Sequence, residues 1–138
     1  MSSKSILLVD DAVFIRNFVL IALKTVGITH VKEAPDGQQA WAILQNHYND
    51  GKAFDLIISD WHMPNMDGLE LLKQVRGNKQ FQNIPFLMLT SDVSADNVRS
   101  AVKEGVSDYL AKPFRHDPLI QKVQHLLQEG HKNLFKTA

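Results

Sequence analysis

The chain has 138 residues, 44% of them hydrophobic and 22% charged, which fits one ordinary globular domain with a packed core. Its 15 Lys and Arg balance 15 Asp and Glu, so net charge draws it to no nucleic acid, and no Lys/Arg cluster supplies a local attraction. With no cysteine, disulfides, zinc–thiolate sites and thiol catalysis are excluded.

Apolar runs alternate with helical patterns five times along the chain. Ile6-Leu7-Leu8-Val9 reads as a first strand and ends on Asp10-Asp11. Residues 13–26 form a helical pattern with Phe14, Phe18, Ile21, Ala22 and Thr25 on one face, and Gly27 stops it. His30 to Ala34 is a short second strand whose main apolar residue is Val31. Pro35-Asp36-Gly37 turns the chain into a second helix over residues 38–48, which offers Ala40, Trp41, Ile43 and Leu44 to the core.

The third strand begins near Leu56 and runs into Asp60. The breaker-rich loop Met63-Pro64-Asn65-Met66-Asp67-Gly68 follows, then a helix over residues 69–75. Phe86-Leu87-Met88-Leu89 is the fourth strand and ends on Thr90. Ser94-Ala95-Asp96 starts a fourth helix toward Gly105. Tyr109-Leu110-Ala111 is the fifth strand and meets Lys112-Pro113. Pro118 suits the start of a last helix that ends near Glu129, before Gly130 and a frayed tail.

This order predicts an α/β fold: a five-stranded parallel sheet with helices on both faces, built as a single domain over residues 1–138 with its core about 4–129. In such a sheet the polar residues that end the strands emerge together at the carboxyl edge, where open α/β sheets bind ligands. Asp10, Asp11 and Asp60 then crowd at one place. Adjacent carboxylates repel, and a hard divalent cation such as Mg²⁺ removes that cost. Asp60 stands as a candidate nucleophile toward phosphorus, Lys112 as a point charge for phosphoryl oxygens, and Thr90 as a hydroxyl donor. Each has a plainer explanation alone: a helix cap for Asp10-Asp11, a strand-end hydroxyl, a solvated lysine. Their value lies in joint placement. The six histidines lack metal-motif spacing, so surface or boundary positions are expected for them. Trp61 follows Asp60 directly, so strand alternation puts it on the opposite side, where partial exposure is expected; Trp41 reads as a helix-face packing residue.

Five segments carry a family resemblance. They are Leu8-Val9-Asp10-Asp11, Ala34-Pro35-Asp36-Gly37, the run from Asp60 through Leu72, Leu89-Thr90, and Asp108-Tyr109-Leu110-Ala111-Lys112-Pro113-Phe114. In this order they resemble the receiver domain of two-component response regulators, over about residues 4–127. The run from Asp60 to Leu72 is especially similar to the stand-alone chemotaxis regulators of that family.

The resemblance implies a flavodoxin-like doubly wound sheet of order 2-1-3-4-5. It implies Asp60 as phosphoacceptor, Asp10 and Asp11 as the acidic Mg²⁺ pair, and the backbone carbonyl of His62 as a further metal ligand. It also implies Thr90 as switch hydroxyl, Lys112 as phosphate sensor before a cis Pro113, and Tyr109 as the aromatic that changes rotamer. The expected function is a signalling phospho-switch, an enzyme only toward its own aspartyl-phosphate. It would take its phosphoryl group from a histidine kinase and present a changed fourth-helix, fifth-strand and fifth-helix face to a target, with the flagellar motor switch protein favoured and a phosphatase as a further partner. A cytoplasmic monomer that binds neither nucleic acid nor membrane is expected.

Five residues depart from the chemotaxis pattern or occupy its variable positions. His62 and Asp92 flank the phosphate site and bear on dephosphorylation, Ser91 replaces a small alanine, and Ser94 and Ala95 replace two lysines that bear on the target. Within the family the alternative is a phosphorelay intermediate that serves a histidine phosphotransfer protein. A Mg²⁺-dependent phosphohydrolase would want an Asp-x-Asp arrangement, and His62 stands at the second position. A flavodoxin-like phosphate cradle is opposed by the acidic Asp10-Asp11-Ala12-Val13 loop.

Overall fold

The structure is a computed structural model that describes residues 3–131; the tail expected to fray lies largely outside them. The elements in chain order are β1 (Ser5–Val9), α1 (Val13–Lys24), β2 (His30–Ala34), α2 (Gly37–Asn49), β3 (Leu56–Asp60), α3 (Gly68–Arg76), β4 (Phe86–Thr90), α4 (Ala95–Lys103), β5 (Asp108–Ala111) and α5 (His116–Glu129). The five strands form one parallel sheet of order β2-β1-β3-β4-β5, a flavodoxin-like arrangement. The expected elements are all present, with ends moved by at most two residues. Pro118 sits at the third position of α5, within the first turn, where its missing N–H leaves no bond unmade.

Strand alternation divides the core in two. Leu7, Val9, Ile57, Phe86 and Met88 face α2, α3 and α4 and pack with Ala40, Leu44, Leu71, Leu72 and Val75. Ile6, Leu8, Leu56, Ile58, Leu87 and Leu89 face α1 and α5 and pack with Val19, Leu23, Leu119, Val123 and Leu126. The central strands β3 and β4 are buried on both faces, so their sequences are nearly continuous apolar runs.

The face of α1 differs from the expectation. Phe14, Phe18 and Ile21 are 74%, 42% and 65% exposed, and the expected Ala22 is joined against the sheet by Val19 and Leu23. This helix is apolar on two sides, so periodicity alone does not choose between them. Val19, Ala22 and Leu23 pack in one cluster with Leu119, Val123 and Leu126 of α5. Trp61 also differs: it is 5% exposed and belongs to the core beneath α3. Its position just past the end of β3 continues the strand's alternation, and α3 covers that side. Trp41 packs as expected, edge-on to Phe81 at 5.4 Å.

Helix ends follow local chemistry. Asp36, Asp67 and Ser94 cap α2, α3 and α4 by accepting from the N–H of Gln39, Glu70 and Asn97. Gly68, the first residue of α3, returns its N–H to the Trp61 carbonyl at 2.7 Å and folds the β3–α3 loop back on its own strand. A Cβ there would lie 2.1 Å from the Asp60 carbonyl oxygen, an approach that only glycine permits. Gly68→Ala is therefore expected to lower stability by about 3 kcal/mol, near the upper range for overpacking. Urea denaturation checks this, and an unchanged midpoint would show that the loop yields freely.

Candidate functional site

Strand register brings the polar strand ends together. Val9 pairs with Ser59, which sets Asp10 level with Asp60; Asp60 pairs with Leu89, and Thr90 with Ala111, so Thr90 and Lys112 stand one step further across the same edge. Oxygen atoms of Asp10, Asp11 and Asp60 lie within 4.8 Å of one another. Asp10 is fully buried and Asp60 is 8% exposed, whereas Asp11 faces solvent.

Lys112 ties this cluster together. Its ammonium donates to Asp10 Oδ2 at 3.0 Å and sits 3.3 Å from Asp60 Oδ1. The peptide bond between Lys112 and Pro113 is cis, as the resemblance implies. The remaining acceptor capacity is used locally. Asp10 Oδ1 accepts from the Ala12 N–H at 2.9 Å, and Asp60 Oδ1 accepts from the Trp61 N–H at 2.8 Å. Neither Asp10 nor Asp11 is the cap of α1; that position is Ala12, which has no side-chain cap. Asp10 and Asp60 thus share Lys112 and each accept one neighbouring backbone N–H. A trio of hard oxygen donors around one point fits a divalent cation with a retained water shell.

Burial, and after it the Asp10 charge, push the Asp60 carboxyl above its ordinary value, while Lys112 and the Trp61 N–H pull it down. A carboxyl raised in the folded state holds protons that the unfolded chain has already released. Asp60 therefore lowers the stability of the metal-free fold as pH rises through its folded-state titration, and the loss persists at neutral pH.

Thr90 is fully buried at the end of β4, and its Oγ1 accepts from the Asp92 N–H at 3.1 Å. The Tyr109 hydroxyl donates to the Asp92 carbonyl at 2.7 Å. The backbone of Asp92 therefore links the two residues expected to switch. Burial first, and the Asp92 charge second, raise the Tyr109 phenol above its ordinary value and keep it a donor. Beside it, buried Asp108 pairs with Lys122 of α5 at 3.0 Å. His62 is exposed at the start of the β3–α3 loop.

Two positioning residues escaped the sequence reading. Asp36 is 3% exposed, and besides capping α2 its Oδ2 accepts from Asn65 Nδ2 at 2.9 Å. Asn65 is the one non-glycine described with a positive φ, 68°, a conformation asparagine tolerates. Gly37 donates its N–H to the Met66 carbonyl at 2.9 Å beside them. The loop carrying His62 is thus fastened to α2. The visible signal was the pair of turn motifs Pro35-Asp36-Gly37 and Asn65-Met66-Asp67-Gly68, although nothing in the sequence shows that they meet.

The chain matches the response regulator receiver domain over residues 6–124, and it belongs to that family. It is 37% identical over 125 residues to a chemotaxis protein CheY homolog of Campylobacter jejuni, an alignment covering 91% of this chain and 93% of that protein. Among solved structures it is similar to CheY4, a chemotaxis response regulator of Vibrio cholerae, with a TM-score of 0.80, 35% identity, and 90% and 98% coverage of the two chains. It is also similar to the Mn²⁺-bound form of the response regulator Rcp1, with a TM-score of 0.76, 32% identity, and 89% and 91% coverage. The protein is a CheY-like receiver. Among the described residues no helix is long and apolar enough to cross a membrane.

Replacing Asp60 by Asn removes the buried charge and keeps the shape. Asp60→Asn is expected to melt higher than wild type in EDTA at neutral pH, with the gap closing as pH falls through the Asp60 titration. Adding Mg²⁺ should raise the melting temperature of wild type more than that of the variant. Scanning calorimetry checks both; a variant that melts lower in EDTA would contradict the crowding of Asp60 against Asp10.

Proposed function

We propose that this chain is a single-domain phospho-switch that takes a phosphoryl group on Asp60 from a phosphohistidine of a partner histidine kinase. The observation that carries this is the placement of Lys112 between buried Asp10 and Asp60 at the carboxyl edge of the sheet. An Asp60 oxygen attacks phosphorus, the phosphorus–nitrogen bond breaks, and its electron pair returns to the donor imidazole, which regains a proton from solvent. Asp10, Asp11 and Asp60, with the His62 carbonyl, would hold Mg²⁺, which supplies positive charge against the developing oxyanion charge. Lys112 pairs with a phosphoryl oxygen once Asp60 is esterified and its own charge is gone.

The same parts convert the phosphate into a surface change. A phosphoryl oxygen within reach of Thr90 accepts from its hydroxyl O–H and draws toward the phosphate the side chain whose Oγ1 accepts from the Asp92 N–H. Asp92 is also the residue to which Tyr109 is bonded. A shift of this loop alters the α4–β5–α5 face by biasing two arrangements of Tyr109. The favoured process is chemotaxis, with the flagellar motor switch protein as target, in keeping with the Campylobacter and Vibrio relatives. The phosphorelay reading predicts that a histidine phosphotransfer protein, and no motor protein, is retained by the phosphorylated form. Turnover of outside phosphomonoesters is disfavoured because His62 stands where a general acid carboxylate is wanted.

Acetyl phosphate with Mg²⁺ is expected to add one phosphoryl group to wild type, read by intact mass, with a parallel change in Trp61 fluorescence. Asp60→Asn should accept none. Equal labelling of the variant would remove Asp60 from the reaction.

A further inference from the structure

A solvent-open cavity lies at the opposite end of the sheet from Asp60. It has a volume of about 760 Å³ and opens where β1 and β2 begin. Lys32 and His30 reach it from β2, His47 from α2, and Lys52 from the loop after α2. Ser5 and Thr29 contribute hydroxyls. None of its lining residues is a carboxylate, although the chain as a whole is charge-balanced.

The imidazole of His47 is held in place: its ring stacks on buried Phe54 with centroids 4.1 Å apart and planes 15° from parallel. The neighbouring charges converge on that ring. Burial lowers the His47 pKa first, and the ammoniums of Lys52 and Lys32 lower it further, against a weaker opposite pull from Asp50. The other nearby carboxylate, Asp55, accepts the Ser5 N–H at 2.8 Å. None of the lining lysines or histidines has an ion-pair partner among the described residues. Like charges brought together around a concave, hydroxyl-lined space are relieved by an anion.

We infer that this cavity is a binding site for a small multivalent phosphate anion, of the diphosphate or polyphosphate class, held between Lys32 and Lys52 with the fixed His47 ring beside it. Two ammoniums on separate elements, with an imidazole and two hydroxyls, offer more donors than a monovalent ion can use. A diphosphate carries enough acceptor oxygens to engage both lysines at once. The site lies beyond the reach of the acidic cluster and is independent of the phosphoacceptor reading.

The experiment is an NMR titration of full-length protein with inorganic pyrophosphate in metal-free buffer at fixed ionic strength, following the His47 imidazole and the Trp61 indole. Wild type should show a saturable response at His47, with a raised His47 pKa and an unmoved Trp61. Lys32→Ala/Lys52→Ala, a change of two exposed side chains, should bind pyrophosphate about tenfold more weakly or less well still, the loss of at least one charge-assisted contact. Its His47 should titrate higher than wild type before any anion is added. An absent or non-saturating response in wild type, or equal affinity in the double variant, would overturn the site. An equal response to matched chloride or sulfate would mean an adventitious ion only and would overturn it as well.

Discussion

The architecture turns on the close approach of two buried carboxylates, Asp10 and Asp60, under one ammonium from Lys112. Two such charges brought near each other in a poorly solvated crevice repel strongly, and neither can be hydrated freely. One lysine offsets part of this, while burial first and the Asp10 charge second hold the Asp60 carboxyl above its ordinary value. The crevice is therefore prepared for added positive charge, such as a divalent cation beside Asp10, Asp11 and Asp60. In the proposed function that positive charge also meets the phosphoryl oxygens, which add negative charge to the crevice.

Everything around the crevice keeps the carboxylates where they repel. Parallel register fixes β1 and β3 so that Asp10 and Asp60 are level. Gly68 lets the β3–α3 loop press against the Asp60 backbone, and the contact of Asn65 with Asp36 ties the same loop to α2. On the far side, Thr90 and Tyr109 share the backbone of Asp92. Under the proposed function, a change at the Asp60 edge reaches the α4–β5–α5 surface through Thr90, Asp92 and Tyr109 without a change of fold.

Much of this was legible in the sequence because it depends on one-dimensional patterns. Uninterrupted apolar runs marked β1, β3 and β4, which are buried on both faces, and polar strand ends marked the crevice. The strand order was not legible from periodicity and came from family resemblance. Long-range pairings were equally hidden: the Asp36–Asn65 hydrogen bond spans 29 residues, and the two motifs become one device only after folding. The misread face of α1 has a related cause. Phe14, Phe18 and Ile21 are exposed, yet Val19 and Leu23 join the expected Ala22 against the sheet, and periodicity does not choose between two apolar sides. Trp61 was misplaced because its covering helix comes from the next element of the chain.

The crowding of Asp60 against Asp10 is tested most directly by the carboxyl titration of Asp60 itself. We would follow its side-chain carbon by NMR in metal-free wild type and in Asp10→Asn. The titration is predicted to lie above the ordinary aspartate range in wild type and to fall in the variant, where burial is opposed by Lys112 and the Trp61 N–H with no Asp10 charge beside them. A wild-type value at or below the ordinary range, or one indifferent to Asp10, would contradict a site built on carboxylate repulsion.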